Sequence, residues 1–599
     1  MSDARAIEVD LADGTSHTSA EWEKETAAVL RKSRRLGEDA PDADVWDVLA
    51  TTTLDGITVS PLGTPSLTAG LPDPGLPGQA PFTRGSTATR DLDGWDVRAW
   101  FADPDVERTK QDVVTDLENG VNSLWLSVGT SGIPIDALAA ILEPVFVDLA
   151  PVVLEAPHEP VEAARALFAV ISDKGVDAAP GTSFGVDPIG ATFRGRGVTD
   201  LDVIAKVAKL ADILDARALT VDATAVHDAG ASDVQELAYS MAAGAQYLRL
   251  LVESGFDVDD AAALIDFRYA ATDEQFPTIA KLRAARRLWN RVVELSGGAP
   301  TGQLQHAVTS RPMMAKYDPY VNMLRTTVAA FAAGVGGATS VTVLPFDERL
   351  GLPDAFSRRI ARNTSSLLIS ESHVAEVSDP AGGAYAVEKL TDDVARAAWE
   401  LFGEIDATDS LDAALALVRS HVEETASQRA LAIATRTRPI TGVSEFPNLH
   451  ETLPERRPYA EELDVHRYAG EYEAMRDDRA STPVFLATMG TVAAYTARAT
   501  FAANLFAAGG VDTATAGPTE GVDQVVAAYN EAGNVPVVCL TGNATAYDEW
   551  GADLVAALRA AGATYVVVAG KNSLDVDASA AVGDDALAFL RSIRQELEA

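Results

Sequence analysis

The chain has 599 residues, of which 47% are hydrophobic and 23% charged, a globular composition without low-complexity segments. Its 48 basic and 88 acidic residues give a formal net charge of −40, which repels polyanions and argues against nucleic acid as a partner. No segment approaches the roughly 18 uncharged apolar residues of a membrane span. The lone Cys539 can form neither an internal disulfide nor a thiolate metal cage. We therefore expect a soluble cytoplasmic protein.

The first 85 residues predict a helix followed by an extended arm. Thr18 and Glu21 have the spacing of a capping box, and helical spacing continues to about residue 33. The stretch from Pro61 to Gly85 is rich in proline and glycine, which disfavour the interiors of helices and strands. We assign residues 1–85 to this helix and arm.

Residues 86–400 predict a (β/α)8 TIM barrel. Eight short β-rich runs alternate there with helix-period stretches. The runs are WDVRAWF, SLWLSVG, PVVLEA, SFGVDP, ALTVDA, LIDFRYA, LQHAVTS and TSVTVL. A helical and polar linker is expected to follow at residues 401–481.

Polar side chains near the carboxyl ends of the barrel runs are the candidates for chemistry, because barrel enzymes place their functional groups there. Asp266 and Arg268 lie two residues apart on one predicted strand and so point to the same side, which favours an ion pair between them. For His306 we favour a hydrogen-bonded structural role over contact with a ligand.

Residues 482–599 predict a doubly wound domain. Its runs VFLATM, VDTATAG, VPVVCLTG and TYVVVAG are apolar without polar alternation, which indicates a parallel sheet covered on both faces. The predicted loop Gly490 to Tyr495 lies where such domains bind ligands, yet it contains no histidine, carboxylate or lysine. No histidine follows His466, so no imidazole of this domain can hold a metal or a corrin. We expect Cys539 to be an inert core thiol.

Several long runs resemble the methylmalonyl-CoA mutase family. In the barrel they are IAKLRAARRLW (279–289), DPYVNMLRTTVAAFAAGVGG (318–337), LPDAFSRRIARNT (352–364) and DPAGGAYAVEKL (379–390), and in the arm DGITVSPL (55–62) and PFTRG (81–85). The resemblance implies a barrel whose axis holds the pantetheine of an acyl-CoA. It also implies a C-terminal flavodoxin-like domain that holds adenosylcobalamin, with a DxHxxG motif supplying the lower cobalt ligand.

The cofactor positions that the resemblance implies are vacated in this sequence. The family's DGHDRG corresponds to residues 492–497, so the cobalt-ligating histidine has become Ala494 and its orienting aspartate Val492. A methyl group has no lone pair to give to cobalt. We therefore predict a degenerate cobalamin-binding domain without a metal site.

The catalytic positions are vacated as well. The family's catalytic tyrosine corresponds to Trp100 and its catalytic histidine to Ala225, with His227 displaced by two residues. Arg98 and His306 remain at positions that contact acyl-CoA in active members, which leaves them as a weak, vestigial substrate site.

This pattern of losses resembles the non-catalytic small subunit of a heterodimeric bacterial mutase, an isomerase of propionate metabolism that interconverts succinyl-CoA and methylmalonyl-CoA. In that case a large catalytic subunit is the partner, and adenosylcobalamin and its cobalt are bound by that partner. Two alternatives stay open. One is a regulatory module that binds acyl-CoA through Arg98 and His306, and the other is a cobalamin-independent barrel enzyme with His306 or His227 as its base.

Overall fold

The computed structural model describes residues 17–89 and 94–598. The predicted arm therefore includes residues 1–16, which lie outside the described part. The strands are β1 Thr51–Thr52, β2 Thr58–Val59, β3 Asp96–Phe101, β4 Ser123–Ser127, β5 Val152–Glu155, β6 Ser183–Val186, β7 Arg217–Asp222, β8 Ile265–Ala271, β9 Gln305–Thr309, β10 Ser340–Thr342, β11 Val484–Thr488, β12 Thr513–Thr515, β13 Val537–Thr541, β14 Tyr565–Ala569 and β15 Ala578–Ala580.

The α-helices are α1 Ser19–Lys32, α2 Val45–Leu49, α3 Val106–Leu117, α4 Leu138–Ile141, α5 Pro160–Lys174, α6 Pro188–Arg194, α7 Val203–Ile213, α8 Thr224–Asp228, α9 Asp233–Glu253, α10 Val258–Ala263, α11 Gln275–Leu295, α12 Asn322–Val335, α13 Ala355–Ser366, α14 Tyr385–Asp406, α15 Leu411–Ala434, α16 Gly470–Asp477, α17 Val492–Ala508, α18 Val522–Glu531, α19 Ala544–Ala546, α20 Ala552–Ala560 and α21 Ala586–Glu598. Within the described residues, none of these helices combines the length and the apolar character that crossing a membrane requires.

The N-terminal helices form a small core of their own. The predicted capping box is present, because the Glu21 N–H donates to Thr18 Oγ1 (3.2 Å) and the Thr18 N–H donates to Glu21 Oε2 (2.7 Å). Helices α1 and α2 enclose an apolar cluster that is separate from the main core. Its largest members, Trp22 and Trp46, have ring centroids 4.4 Å apart.

The predicted barrel is confirmed as a closed ring of eight parallel strands, β3 to β10 in sequence order. Strand β10 closes the ring by pairing with β3, so that Ser340 lies opposite Asp96. Helix α14 packs on the barrel helices α9 and α11. The predicted boundary at residue 400 therefore falls inside a helix that still contacts the barrel.

The C-terminal domain is the predicted doubly wound sheet, with the order β12-β11-β13-β14-β15 and parallel pairing throughout. One core lies beneath α17 and α21, and another beneath α18 and α20. This is the strand order 2-1-3-4-5 of flavodoxin-like folds. The fifth strand, β15, was not predicted, because its three residues Ala-Ser-Ala carry no β-branched or aromatic side chain.

Candidate functional site

Trp100 lies near the carboxyl end of β3, at the mouth of the barrel where functional groups are expected. Its indole Nε1–H donates to Ser127 Oγ (2.8 Å), and that hydroxyl donates to Glu155 (2.9 Å). Its ring contacts those of Trp125 and Tyr459, at centroid distances of 5.7 and 5.4 Å. An indole has no phenolic hydroxyl, and the one N–H donor of Trp100 is already engaged. The side chain therefore acts as a wall of the mouth.

Three large side chains lie across the barrel axis at this level: Trp125, Arg268 and His306. The Arg268 guanidinium carbon is 4.2 Å from the centroid of the Trp125 ring, and His306 meets the same ring edge-on at 5.3 Å. The exposed fractions are 1% for Trp125, 3% for Arg268 and 5% for His306. The three side chains therefore pack against one another inside the barrel, with little space left between them.

Both nitrogens of His306 are engaged inside the barrel. Nδ1 accepts a hydrogen bond from Arg268 Nε (3.2 Å), which leaves Nε2 to donate to Thr342 Oγ1 (2.7 Å). Burial, followed by the nearby Arg98 and Arg268 cations, lowers the pKa of His306 well below its usual range. His306 is therefore a neutral imidazole without a free nitrogen, in agreement with the structural role that the sequence favoured.

Arg268 pairs with Asp222 (Nη1 to Oδ2, 3.2 Å), so the predicted ion pair with Asp266 is wrong. The reason is strand register: Asp222 lies directly opposite Arg268 on β7, closer than a residue two places along the same strand. Arg98, the other retained position, donates from Nε to Ser123 Oγ (2.7 Å). Burial lowers the pKa of Arg98 to about 10. Its guanidinium thus belongs to the barrel interior.

Ala225 lies on the short helix α8, is 2% exposed and belongs to the main apolar core. His227 is buried two residues further along. Its Nε2 is 2.7 Å from Ser310 Oγ, and its Nδ1 is 3.5 Å from the Glu236 carboxylate. Glu236 in turn pairs with Lys281 Nζ at 2.6 Å. His227 is thus part of a buried charge network that joins α8, α9 and α11.

A segment of the linker, residues 456–468, crosses the barrel mouth, and we call it the strap. It is anchored by hydrogen bonds to segments that follow four different barrel strands. Three are donated by the strap: Arg457 Nη1 donates to Asp103 Oδ1 (3.0 Å), Tyr459 Oη to the Glu348 carbonyl (3.1 Å) and the His466 N–H to the Asp228 carbonyl (2.6 Å). The fourth is accepted by the strap, because Ser131 Oγ donates to the Glu461 carboxylate (2.7 Å). The strap covers the face on which barrel enzymes bind their substrates.

Val492 and Ala494 lie in the first turn of α17, so the predicted loop at 490–495 is wrong from residue 492 onward. Thr491 is extended and the residues after it contain no glycine or proline, so the helix begins at once. Val492 is 56% exposed and Ala494 is half-buried. Neither side chain carries an atom that can coordinate a metal.

Arg498, one turn further along α17, occupies the carboxyl edge of the sheet. Its Nη1 donates to the Gly542 carbonyl (2.6 Å), and its guanidinium carbon lies 4.5 Å from the centroid of the Tyr547 ring. A Cβ on Gly570 would lie only 3.3 Å from Arg498 Nε. This is the edge where doubly wound domains bind their ligands. With Ala494 at the ligand position and Arg498 on the edge, these residues do not fit a corrin.

The described part of the chain contains no metal or thiolate centre. No group of three or more histidine, cysteine, aspartate or glutamate side chains is placed to hold a metal there. Cys539 is buried in β13, and burial raises the pKa of its thiol to about 12. The thiol therefore stays protonated, as expected of an inert core cysteine.

Neither the strap nor Arg498 was among the residues predicted from the sequence. The strap falls in an irregular, proline-containing stretch with no hydrophobic period, so its path cannot be predicted locally. Arg498 did carry a signal, because it is the single charged residue of α17.

A closed TIM barrel followed by a flavodoxin-like sheet, with aromatic and charged groups at the barrel mouth, defines a two-domain α/β protein. The family described as methylmalonyl-CoA mutase matches residues 201–522. The chain is 47% identical to the methylmalonyl-CoA mutase small subunit of Streptomyces virginiae, over 96% of both chains. It is 38% identical to the methylmalonyl-CoA mutase small subunit of Propionibacterium freudenreichii subsp. shermanii, over 92% of this chain and 89% of that one.

The methylmalonyl-CoA mutase of Cereibacter sphaeroides is 30% identical over 69% of this chain and 63% of its own. The chain belongs to the methylmalonyl-CoA mutase family, as the resemblance predicted. The relatives that it matches over nearly their whole length are small subunits of that enzyme.

Proposed function

We propose that this chain is the non-catalytic subunit of a heterodimeric, adenosylcobalamin-dependent mutase that interconverts succinyl-CoA and methylmalonyl-CoA. Its role is to stabilise the large catalytic subunit. The observation that carries this proposal is the filled barrel: Trp125, Arg268 and His306 lie across the axis, and the strap lies over the mouth. We expect side chains packed in this way to keep a substrate thioester from the centre of the barrel.

The proposal places the cofactor in the partner subunit. It is supported by Ala494, which offers no lone pair, and by Arg498, whose guanidinium bridges toward the Gly542 carbonyl at the sheet edge. Radical rearrangement chemistry belongs to the cofactor, and a protein contributes by binding and shielding it. This chain contributes a folded scaffold for assembly, and no catalytic residue of its own.

The proposal is tested by purifying the chain alone, the large subunit alone and the two together. We expect mutase activity and a cobalamin absorption spectrum only in the samples that contain the large subunit. When the two chains are separated, mass spectrometry should find cobalt with the large subunit. We also expect the large subunit to unfold at a higher temperature in the complex, because a partner that binds only the native state stabilises it. Corrin binding or thioester isomerisation by this chain alone would refute the proposal.

Titration of the isolated chain with succinyl-CoA, repeated on Arg98→Ala, separates this role from that of an acyl-CoA-binding module. A non-catalytic subunit gives no heat of binding in either protein. Heat that is present in the wild type and lost in Arg98→Ala would favour the binding module.

A further inference from the structure

A cavity of about 380 Å³ lies between the strap and the barrel mouth. The rings of Trp100 and Tyr459 line it, together with nine charged side chains. Three of the nine, Arg196, Glu461 and Arg467, form ion pairs within the chain. Three more, Arg349, Glu462 and Asp464, are exposed. The remaining three are Arg311, Glu155 and Glu348, and convergent charges beside aromatic walls are typical of a small-molecule site. The charges that face this cavity therefore decide what it can bind.

Arg311 is a buried cation whose side chain donates no hydrogen bond to any of the described residues. It is 3% exposed, and its Nε–H has no acceptor among the described residues. The carboxylate oxygens of Asp228 and Glu348 are 3.6 and 3.8 Å from its nitrogens, beyond hydrogen-bonding distance. A guanidinium carries five N–H donors in a planar fork that matches a carboxylate. Arg311 is therefore suited to an anionic group placed in the cavity.

Two of the carboxylates that line the cavity, Glu155 and Glu348, are also incompletely paired. The one hydrogen bond to the Glu155 carboxylate comes, within the described residues, from Ser127 (2.9 Å). The contact of Glu348 with Arg311, at 3.8 Å, is its single side-chain ion pair in the same part of the chain. Burial raises the pKa of Glu348, as expected of a carboxylate that lacks close donors. Both carboxylates, next to the faces of two aromatic rings, suit an ammonium group.

We propose that this cavity binds a small zwitterion of the α-amino acid class. The ligand carboxylate bonds to Arg311, its ammonium bonds to Glu348 and Glu155, and its aliphatic side chain packs on Trp100 and Tyr459. A dicarboxylate fits less well, because its second charge would meet Glu155 and Glu348. The inference does not depend on whether the chain is a subunit of a mutase.

Occupancy of the site has a consequence for the strap. Tyr459 belongs to the strap and lines the cavity, whereas Arg311 belongs to the loop after β9. A ligand that contacts both would stabilise the strap in its place across the mouth. The ligand would thus couple a metabolite concentration to the stability of the barrel mouth.

Isothermal titration of the full chain tests the proposal with a matched set of probes: L-leucine, 4-methylpentanoate, which lacks the ammonium, and 3-methylbutylamine, which lacks the carboxylate. L-Alanine tests a shorter side chain. We expect at least one of the two amino acids to bind one-to-one with a Kd below about 1 mM, and the acid and the amine to bind at least about tenfold more weakly.

The variant Arg311→Gln should weaken amino acid binding by about tenfold or more, since it removes a charge-assisted contact. The matched control is Arg249→Gln, whose guanidinium pairs with Asp406 (2.8 Å) on the exposed barrel surface, and it should bind like the wild type. If Arg311→Gln does not fold, as judged by its melting transition, Glu348→Gln takes its place with the same expectation. Absence of binding by both amino acids, equal binding of 4-methylpentanoate, or unchanged binding in the cavity variants would overturn the proposal.

Discussion

The barrel mouth and the carboxyl edge of the C-terminal sheet differ in how tightly their side chains are held. At the mouth, Trp100 is bonded to Ser127 and packs on Tyr459, and Ala225 lies in the main core. At the sheet edge, the first turn of α17 carries small side chains, and Val492 is 56% exposed. The Ala225 site is thus core, whereas the Val492 site is surface. The same kind of substitution should therefore affect stability strongly in one region and weakly in the other.

The largest effect is expected for Arg268→Ala, which removes a cation from the barrel axis. Arg268 stacks on Trp125 at 4.2 Å and bonds to both Asp222 and His306. Its loss leaves a cavity and a buried carboxylate with one partner fewer, so the free energy of unfolding should fall by about 3–5 kcal/mol. Chemical denaturation measures this change.

The control for that variant is Arg249→Ala, because Arg249 forms an exposed ion pair with Asp406 and 52% of its side chain is accessible. Its free energy of unfolding should stay within about 0.5 kcal/mol of the wild type. Equal effects of the two variants would mean that the charges at the barrel axis are as dispensable as those on the surface.

The two vacated positions allow the same substitution to be compared directly. Ala225→His forces an imidazole into a site that is 2% exposed and packed in the main core, which should cost about 2–3 kcal/mol of stability. Ala494→His adds an imidazole to the half-buried first turn of α17 and should cost less than about 0.5 kcal/mol. Thermal unfolding of the two variants measures both losses of stability. An Ala225→His variant as stable as the wild type would contradict the placement of Ala225 in the core.

Placing an aspartate and a histidine at positions 492 and 494 tests whether the carboxyl edge of the C-terminal sheet can bind a corrin. The double variant Val492→Asp with Ala494→His should still not change the absorption spectrum of hydroxocobalamin, because Arg498 remains bonded to the Gly542 carbonyl. The same double variant with Arg498→Gly is the comparison. A spectral change in the double variant itself would mean that the edge is open.

The elements that the sequence predicted are those whose signal is local. The eight barrel strands could be predicted because each run is apolar and short, and the capping box at Thr18 because it involves residues three apart. That Ala494 offers no atom for coordination follows from the residue type alone, since a methyl group lacks a lone pair in any fold.

The contacts that fill the two sites depend on residues far apart in the chain. The partner of Arg268 is set by the register of β7 and β8, and Tyr459 reaches Trp100 across more than half of the sequence. Neither contact can be predicted from an apolar period of 2 or 3.6 residues along the chain. For this reason the packing of side chains inside the barrel could not be predicted from the sequence.

The pH dependence of stability should distinguish the mouth from the surface. The pKa of His306 in the folded chain lies well below the value of about 6.5 for an exposed histidine. Between about pH 6.5 and the lower pKa of the folded chain, His306 binds a proton in the unfolded chain but not in the folded one. The free energy of unfolding therefore falls as pH decreases through this range. At pH 5.5 the loss relative to pH 7.5 should be about 1.4 kcal/mol larger in the wild type than in His306→Gln.

The matched control for His306→Gln is His373→Gln, because 64% of the His373 side chain is accessible. Urea denaturation at the two pH values gives the comparison, and each difference is taken against the wild type so that other titrating groups cancel. An equal pH dependence in His306→Gln and the wild type would mean that this imidazole is protonated inside the barrel.

Among the variants at the barrel mouth, the smallest effect is expected at the strap. Tyr459→Phe keeps the ring that packs on Trp100 but removes the hydroxyl that donates to the Glu348 carbonyl (3.1 Å). The loss of one hydrogen bond should cost about 1 kcal/mol, and amides of residues 459–467 should exchange about fivefold faster. Tyr565→Phe is the counterpart in the C-terminal domain, where the hydroxyl is 3.3 Å from Ser592 Oγ and half-buried, and it should leave exchange in the strap unchanged. If Tyr459→Phe had no effect either, the hydroxyl of Tyr459 would contribute nothing to holding the strap, which would then depend on its other anchors and on the packing of the ring on Trp100.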